Sequence, residues 1–316
     1  MNCESCDHLN RQRHAEFALR RGIVGGVPDL TSRLWQAVHS EFPELVQLAT
    51  DPQRWEVLPT LLFGIGCERL EPSLISFDIV EAPLCKLTAA YIRSICSECG
   101  MRSTSIVTNV SFLAAIRHVL AASRKRGLRI EELKAFLRDM VTDAGRLRKG
   151  PYLDSTDNEF WNVLIPGLAW TIGHEIGHAT GGKIMASEKS DRLSDRPLKA
   201  GSSELDADAV ATGMLLNRVF ATPELGNLED RVKKIDEGIE SILRGLVLVD
   251  SLLAGKLFNI ENAASSYNDG VPSPRLRLEN ASKTIRIISE LNQFQPIRST
   301  GQPLFANWSN TVRELV

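Results

Sequence analysis

Two histidines and a glutamate stand in a pattern that can bind a metal and activate water. They are His174, Glu175 and His178. Residues four positions apart lie on the same face of a helix, so the two imidazoles can point at one position in space. Two neutral imidazoles can hold Zn²⁺, and a carboxylate beside the metal can take a proton from metal-bound water. The spacing therefore predicts a metal site with a general base beside it.

Such a site needs a third protein ligand, and no histidine follows His178. The next ligand should therefore be a carboxylate. Ser203 is a good N-cap with Asp206 three residues on, which predicts a second helix with Glu204 in its first turn. Asp208 lies one turn further along the same face. Glu204 can then be the third ligand, and Asp208 can accept the second ring N–H of a ligating histidine and fix its tautomer.

The segment between the two motifs, residues 183–202, contains two rival carboxylate ligands. Glu188 and Asp191 lie in this charged stretch, which has almost no apolar pattern. They lack the capped helix and the following Ala-Asp pair that Glu204 has. The composition predicts a mobile, solvent-facing loop at the rim of a cleft, and this loop is a candidate gate for it.

The two motifs together resemble the signature of the gluzincin metallopeptidases, HExxH followed by ExxAD. In this chain they are the runs His174-Glu175-Ile176-Gly177-His178 and Glu204-Leu205-Asp206-Ala207-Asp208. The pattern is similar to that of HtpX-type, ImmA/IrrE-type and Lit-type peptidases. The resemblance implies that His174, His178 and Glu204 bind zinc. It also implies that Glu175 is the general base and that Asp208 orients a ligand.

A later segment departs from the pattern of these families, which have His-Pro followed by an arginine that begins a helix. Pro272 and Arg277 fit that pattern, but Val271 stands where the histidine would be. Peptide hydrolysis needs a donor opposite the metal to stabilise the developing oxyanion. Tyr267 and Arg277 are the candidates for this catalytic role, followed by Tyr152, and a purely structural role stays open for each.

Helices are predicted on both sides of the chemistry. The apolar run at residues 160–170 predicts a buried helix leading into the first motif, and Gly181-Gly182 predicts its end. Residues 227–258 have apolar side chains at helical spacing, which predicts one or two helices whose apolar stripe either faces the core or forms a dimer seam. These elements would place the first motif in the interior of the protein.

Short extended segments are predicted ahead of the motif helix. Residues 75–80 alternate like a strand, and residues 103–110 are β-branched and bounded by turn formers. Helices are predicted over residues 86–95 and 112–123. Zincins place a substrate-aligning edge strand before the motif helix. The backbone at residues 106–110 is therefore either such an edge, which binds peptide by strand addition, or an ordinary interior strand.

Composition and resemblance together define the expected fold class. The chain has 316 residues, of which 43% are hydrophobic and 24% charged, which is ordinary for a globular protein. We expect a zincin-like α+β fold, mostly helical with a small mixed sheet and the motif on its active-site helix. The expected parts are an N-terminal helical region (1–74), a metallopeptidase domain (75–290) and a C-terminal tail (291–316).

Six cysteines raise the question of a second metal. Two Cys-x-x-Cys pairs, Cys3 with Cys6 and Cys96 with Cys99, could together form a structural zinc site. The two pairs are much further apart in the sequence than in a compact zinc ribbon. The alternative is a frayed terminal pair and an incidental pair near a turn at Gly100.

Charge and hydropathy narrow the classes of partner. The net charge of −2 provides no general argument for nucleic acid or for an anionic membrane. The first residues have no apolar core of a signal peptide, and no stretch of eighteen uncharged apolar residues occurs. We therefore expect a cytoplasmic protein with reduced cysteines, whereas HtpX-type relatives are membrane proteins.

The function predicted from these residues is zinc-dependent hydrolysis of peptide bonds in a protein substrate, with Glu175 as general base. The alternative is a regulatory or binding protein that keeps the zincin site but does not cleave. Intact Glu175 argues against that alternative, because binding zinc does not require it. A nucleic-acid-binding regulator with a vestigial core is a further alternative, disfavoured by the near-neutral charge.

Overall fold

The computed structural model shows a mostly helical protein with a small mixed sheet, which confirms the predicted α+β class at this level. The residues that the structure describes are 4–50, 66–67, 73–82, 89–96, 98–124, 158–180, 184–185, 202–253, 272 and 274–292. Among these residues, no helix has the length and apolar character needed to cross a membrane.

Eight α-helices lie within the described residues. In chain order they are α1 (Glu4–Arg21), α2 (Pro28–Glu41), α3 (Pro43–Thr50), α4 (Val110–Arg124), α5 (Asn158–Thr180), α6 (Ser202–Ala221), α7 (Leu228–Leu253) and α8 (Pro274–Leu291). The strands are β1 (Gly25–Gly26), β2 (Gly66–Cys67), β3 (Ser73–Glu81), β4 (Ala89–Ile95), β5 (Arg102–Asn109) and β6 (Ile184–Met185).

Four of the strands form one sheet in the order β1-β3-β5-β4. β3 and β5 are parallel, with Phe77 opposite Ile106, and β4 is antiparallel to β5, with Ala90 opposite Val107. β1 pairs antiparallel with β3. The strands predicted at 75–80 and 103–110 are therefore confirmed, and the sheet is mixed as expected.

One prediction about this sheet is wrong, and the structure decides between the two alternatives that were open for residues 106–110. The segment expected to be a helix at residues 86–95 forms β4 over its described part, because pairing along β5 outweighs a weak local preference. β5 is an interior strand with β3 on one side and β4 on the other. Its backbone hydrogen-bonding groups are used by its neighbours, so peptide cannot add at residues 106–110.

The motif helix α5 lies in the middle of the core and packs along α6 and α7. Trp170 on this helix is 2% exposed, and the sheet contributes the buried side chains Ile79 and Ile106. α5 and α7 cross at a point of very close approach. A Cβ atom on Gly238 would lie 2.7 Å from the backbone nitrogen of Gly167, so only glycine is accommodated there.

Helices α2 and α3 belong to the same hydrophobic core as α5. Leu34 and Val38 on α2 and Leu45 on α3 are buried in one cluster with Trp170. The helix predicted in residues 227–258 is α7 within the described part, and the predicted helix at 112–123 is α4. The site is thus surrounded by helices on one side and by the sheet on the other.

Candidate metal centre

Both motif histidines lie on one face of α5, one turn apart, as their spacing predicts. Their Nε2 atoms are 2.9 Å apart, and the two ring planes are nearly perpendicular, at 89°. His174 is buried at 7% exposure, whereas His178 is partly buried. The two ring nitrogens therefore converge on one small volume beside the helix.

Glu204 brings a carboxylate to the same volume from the first turn of α6. One of its oxygens lies 3.3 Å from Nε2 of His174 and the other lies 3.1 Å from Nε2 of His178. α6 begins at Ser202, so Ser203 lies inside the first turn rather than at the predicted N-cap position.

The spacing of these three donors fits a tetrahedral metal site. Ligands bound at about 2.0–2.2 Å in a tetrahedron lie roughly 3.3–3.6 Å from one another. The observed separations are 2.9, 3.1 and 3.3 Å. The longest of them reaches that range, and the shortest is about half an ångström below it. His174, His178 and Glu204 form a group that could hold a metal ion.

Asp208 holds His174 in the orientation that such a site requires. Nδ1 of His174 lies 2.8 Å from Oδ1 of Asp208, whose side chain is fully buried. A carboxylate at this position accepts the Nδ1 proton and leaves the lone pair of Nε2 for the metal position. The contact predicted from the ExxAD spacing is therefore present.

Arg277 on α8 holds Asp208 in turn. Its Nε donates to Oδ2 of Asp208 at 2.9 Å, and its Nη2 donates to Oδ1 at 2.7 Å. This two-bond geometry is the strongest that arginine makes with a carboxylate. Nη1 also lies 3.7 Å from Oε2 of Glu204, so the guanidinium borders the metal position.

Trp170 packs under this cluster, a contribution that sequence reasoning missed. The Arg277 guanidinium lies 5.5 Å from the centre of the Trp170 ring, and His174 lies 5.6 Å from it on the same helix. The indole N–H donates to Oγ1 of Thr212 at 3.1 Å. An aromatic residue one helical turn before the first motif histidine was the available signal.

Small residues let α5 and α6 approach closely enough to bring the ligands together. A Cβ atom on Gly177 would lie 2.7 Å from Cα of Ala207, and one on Gly173 would lie 3.1 Å from Cα of Ala211. Two glycines four residues apart on α5 thus face two alanines four residues apart on α6. This is a physical reason for the alanines that follow Glu204 in the second motif.

The electrostatics of the site favour a positive charge at its centre. Burial acts to lower the pKa of His174, but the hydrogen bonds to Asp208 and Glu204 outweigh it and raise that pKa. Burial acts to raise the pKa of Glu204, but the hydrogen bonds from His174 and His178 outweigh it, so the pKa lies well below its usual range. Glu204 is therefore ionised at neutral pH, the form that binds a cation.

A cavity of about 520 Å³ opens beside His174 and Glu204. Glu175, which is 6% exposed, lines it together with His174, Glu204 and Arg277. Its remaining wall is largely apolar and includes Phe17, Ala89, Ala90, Ile106, Leu168 and Leu246. The buried residue Glu175 thus lines the same largely apolar cavity as His174 and Glu204.

Several predictions concern residues that the structure does not describe. Tyr267, Tyr152 and Val271 lie outside the described residues, as do the rival ligands Glu188 and Asp191. So do Cys3 and the side chain of Cys6, which belong to the predicted four-cysteine zinc site. Within the predicted loop 183–202, the described pair Ile184–Met185 is strand β6, which is antiparallel to β2. That part of the segment is therefore extended and paired rather than loop.

Comparison of the chain with models of protein families, with curated proteins and with solved structures found no match. What the site does must therefore be inferred from its own residues and geometry.

Proposed function

We propose that the chain is a zinc-dependent endopeptidase of gluzincin type that hydrolyses peptide bonds of a protein substrate. One observation supports this most directly. The donors of His174, His178 and Glu204 converge at a spacing close to that of a tetrahedral site, and Glu175 lines the same cavity as His174 and Glu204. A site that only stored a metal would not need that carboxylate.

The donor set supports zinc as the metal. Two imidazole nitrogens and one carboxylate oxygen are a known ligand set of catalytic zinc, in which the fourth position holds water. Magnesium and calcium prefer oxygen ligands and higher coordination numbers. When bound, zinc would lower the pKa of its water toward neutrality and polarise the carbonyl group that is to be cleaved.

The residues of the chain divide the remaining work. Glu175 accepts the proton of the attacking water and passes it to the leaving amine. General acid–base catalysis of this kind typically accelerates a reaction by about 10²- to 10⁴-fold. Asp208 and Arg277 hold His174 so that its Nε2 faces the metal position. Burial of the carboxylates keeps bulk water away, which strengthens these interactions.

The described sheet offers one strand along which a substrate can lie. β4 is the last strand on its side of the four-stranded sheet, and Ala89 and Ala90 at its start line the cavity. An extended peptide could add to that edge by main-chain hydrogen bonds and direct an apolar side chain into the cavity. Substrate preference for an apolar residue near the cleaved bond follows from the apolar wall.

The test compares three purified proteins: wild type, Glu175→Gln and Glu204→Ala. Zinc content is measured by mass spectrometry, and cleavage is measured on denatured casein and on a mixed peptide library, with and without EDTA. The matched control is Glu290→Gln, a glutamate whose side chain is 65% exposed and which lies about 20 Å along α8 from Arg277.

We expect wild type and Glu290→Gln to bind zinc and to cleave. Glu175→Gln should keep zinc and lose at least about 10²-fold in rate, because only the base is removed. Glu204→Ala should lose both zinc and activity. Zinc binding without cleavage of any library member would instead favour the non-cleaving regulatory or binding protein, and absence of zinc after reconstitution would refute the proposal.

A further inference from the structure

We propose that the outer edge of strand β3, at residues 75–77, is a docking site for an extended peptide in which a basic side chain stands next to an apolar one. The groove beside this edge has a volume of about 570 Å³, within the range of about 300–1,000 Å³ that is common for ligand sites. It lies on the side of the four-stranded sheet away from β4, the strand whose first residues border the catalytic cavity. Binding in the groove requires neither zinc nor the catalytic residues.

β3 has a neighbouring strand along only a small part of its outer edge. β5 pairs with it along nearly its whole length on the inner side, whereas the two residues of β1 pair only with its last two residues. Just before these, the N–H of Ile79 donates to Oγ1 of Thr31 at 3.0 Å, and the carbonyl of Ile79 accepts from the N–H of Val27 at 2.8 Å. Ile79 therefore directs both of its backbone groups away from β5.

The backbone groups of Ile75 and Phe77 face the same outer edge, because backbone groups alternate in direction along a strand. No described residue forms a hydrogen bond with the outward N–H or carbonyl of either residue. Both residues line the groove, and their side chains belong to the core. A backbone donor or acceptor without a partner is costly when it is shielded from water, and an added peptide strand would supply the missing partners.

Asp78 gives the groove a negative charge without a counter-charge. No lysine or arginine is among the residues that line the groove, and no described residue forms an ion pair or a hydrogen bond with the Asp78 carboxylate. Side chains alternate along a strand, so Asp78 shares a face with Ser76, whose hydroxyl lies 2.7 Å from Oγ of Ser105. A lysine or arginine side chain directed to this face would therefore meet a carboxylate beside an exposed hydroxyl.

The opposite face of the same edge is apolar. Trp35 on α2 stacks on Phe77, with the ring planes at 11° and the ring centroids 6.4 Å apart, and both residues line the groove. Successive side chains of an added strand would point to opposite faces of the sheet. A peptide residue whose side chain reaches Asp78 is therefore next to one whose side chain meets Trp35. The preferred peptide accordingly has a basic residue directly beside an apolar one.

The test uses a fluorescein-labelled peptide of alternating lysine and valine, and binding is measured by fluorescence anisotropy. One control peptide carries glutamate in place of lysine. Two others carry N-methyl groups on every valine nitrogen or on every lysine nitrogen, so that each has one blocked edge. Asp78→Asn tests the charge, and Asp230→Asn, at an exposed position on α7, is its matched control. Glu175→Gln tests whether binding is independent of the catalytic cavity.

We expect wild type, Asp230→Asn and Glu175→Gln to bind the lysine–valine peptide with equal affinity. Asp78→Asn should bind it about tenfold more weakly, because a charge-assisted contact is lost. Wild type should bind the glutamate peptide at least about tenfold more weakly than the lysine peptide, for the same reason. Only one of the two methylated peptides should keep its affinity, because only one edge of the added strand faces β3.

Residue-resolved hydrogen exchange of the wild type, measured by NMR, requires no variant. The bound peptide should slow exchange of the amides of Ile75 and Phe77, whereas those of Ser76 and Asp78 face β5 and should exchange slowly with or without it.

Four results would overturn the proposal. Equal affinity for the lysine and glutamate peptides would remove the role of Asp78, and loss of binding in Glu175→Gln would place the peptide in the catalytic cavity. Binding of n-butylamine as tight as that of the peptide, without slower exchange at Ile75 and Phe77, would indicate a pocket for small cations. Slow exchange of both amides in the free protein would mean that the chain itself or a second copy already covers the edge.

Discussion

Replacement of Arg277 by methionine tests whether Asp208 needs a buried cation in order to hold His174. The guanidinium makes two hydrogen bonds to Asp208, at 2.9 and 2.7 Å, and the two side chains are 12% and 0% exposed. Removing one partner of a buried ion pair costs about 3–5 kcal/mol, because the other charge is left buried without compensation. We expect Arg277→Met to lose stability in that range.

The same change should weaken zinc binding as well as folding. Without Arg277, the Asp208 carboxylate keeps only its contact with His174 within this cluster, so both side chains are held less firmly in place. Loss of a group that orients a metal ligand typically costs about 10- to 100-fold in metal affinity. Zinc affinity is measured by competition with a chromophoric chelator, and stability by denaturant unfolding with and without zinc.

Two controls separate the ion pair from general damage to α8. Arg286→Met removes an arginine from the same helix that is 64% exposed and pairs loosely with Glu290 at 3.9 Å, so it should cost less than about 0.5 kcal/mol. Arg277→Met combined with Asp208→Asn removes both charges and should recover much of the stability but not the zinc affinity. Equal stability and zinc affinity in Arg277→Met and Arg286→Met would refute the reasoning.

Three further substitutions have expected outcomes. Gly177→Ala places a methyl group 2.7 Å from Cα of Ala207, so α5 and α6 must separate. We expect the free energy of unfolding to fall by about 1–3 kcal/mol and zinc to bind more weakly, and no change in either would contradict the close packing. Thr212→Val removes the acceptor of the Trp170 indole N–H and should cost about 1–3 kcal/mol in a thermal melt, whereas Thr212→Ser should stay close to wild type; equal melts would contradict this. Leu246→Ala shortens a side chain of the cavity wall and so enlarges the cavity. Cleavage of the peptide library should then shift toward larger apolar side chains with zinc content unchanged, and an unaltered cleavage pattern would argue against the cavity as the substrate pocket.

Local spacing made the cluster of His174, His178 and Glu204 predictable. His174 and His178 are one turn apart on a single helix, and Glu204 and Asp208 are one turn apart on another, so each pair shares a face whatever surrounds it. The structure brings these two faces together. The role of Arg277 was less accessible, because its partner Asp208 is 69 residues away and nothing local indicates the pairing.

In part of the sheet, by contrast, local sequence did not predict the structure. Residues 89–95 have no strong local preference, and they are extended because β5 pairs with them along their length. Whether β5 is an edge or an interior strand depends on what lies on either side, which its own residues do not encode. For that reason the sequence left both alternatives open for residues 106–110, and the structure shows β5 as the interior strand and β4 at the edge of the described sheet.

The sequence by itself determined the types of chemical group and their spacing along each helix: two imidazoles, a neighbouring carboxylate, and a second pair of carboxylates one turn apart. The tertiary structure alone decided that the two helices meet at Gly173 and Gly177 and that Arg277 and Trp170 complete the surroundings of His174. It also decided that α1 lies against strands β4 and β5. The physical reason is the distance along the chain over which each effect acts. Backbone geometry sets which residues share a face within one helix, whereas contacts between distant elements depend on close packing and on buried hydrogen bonds that exist only once the chain has folded.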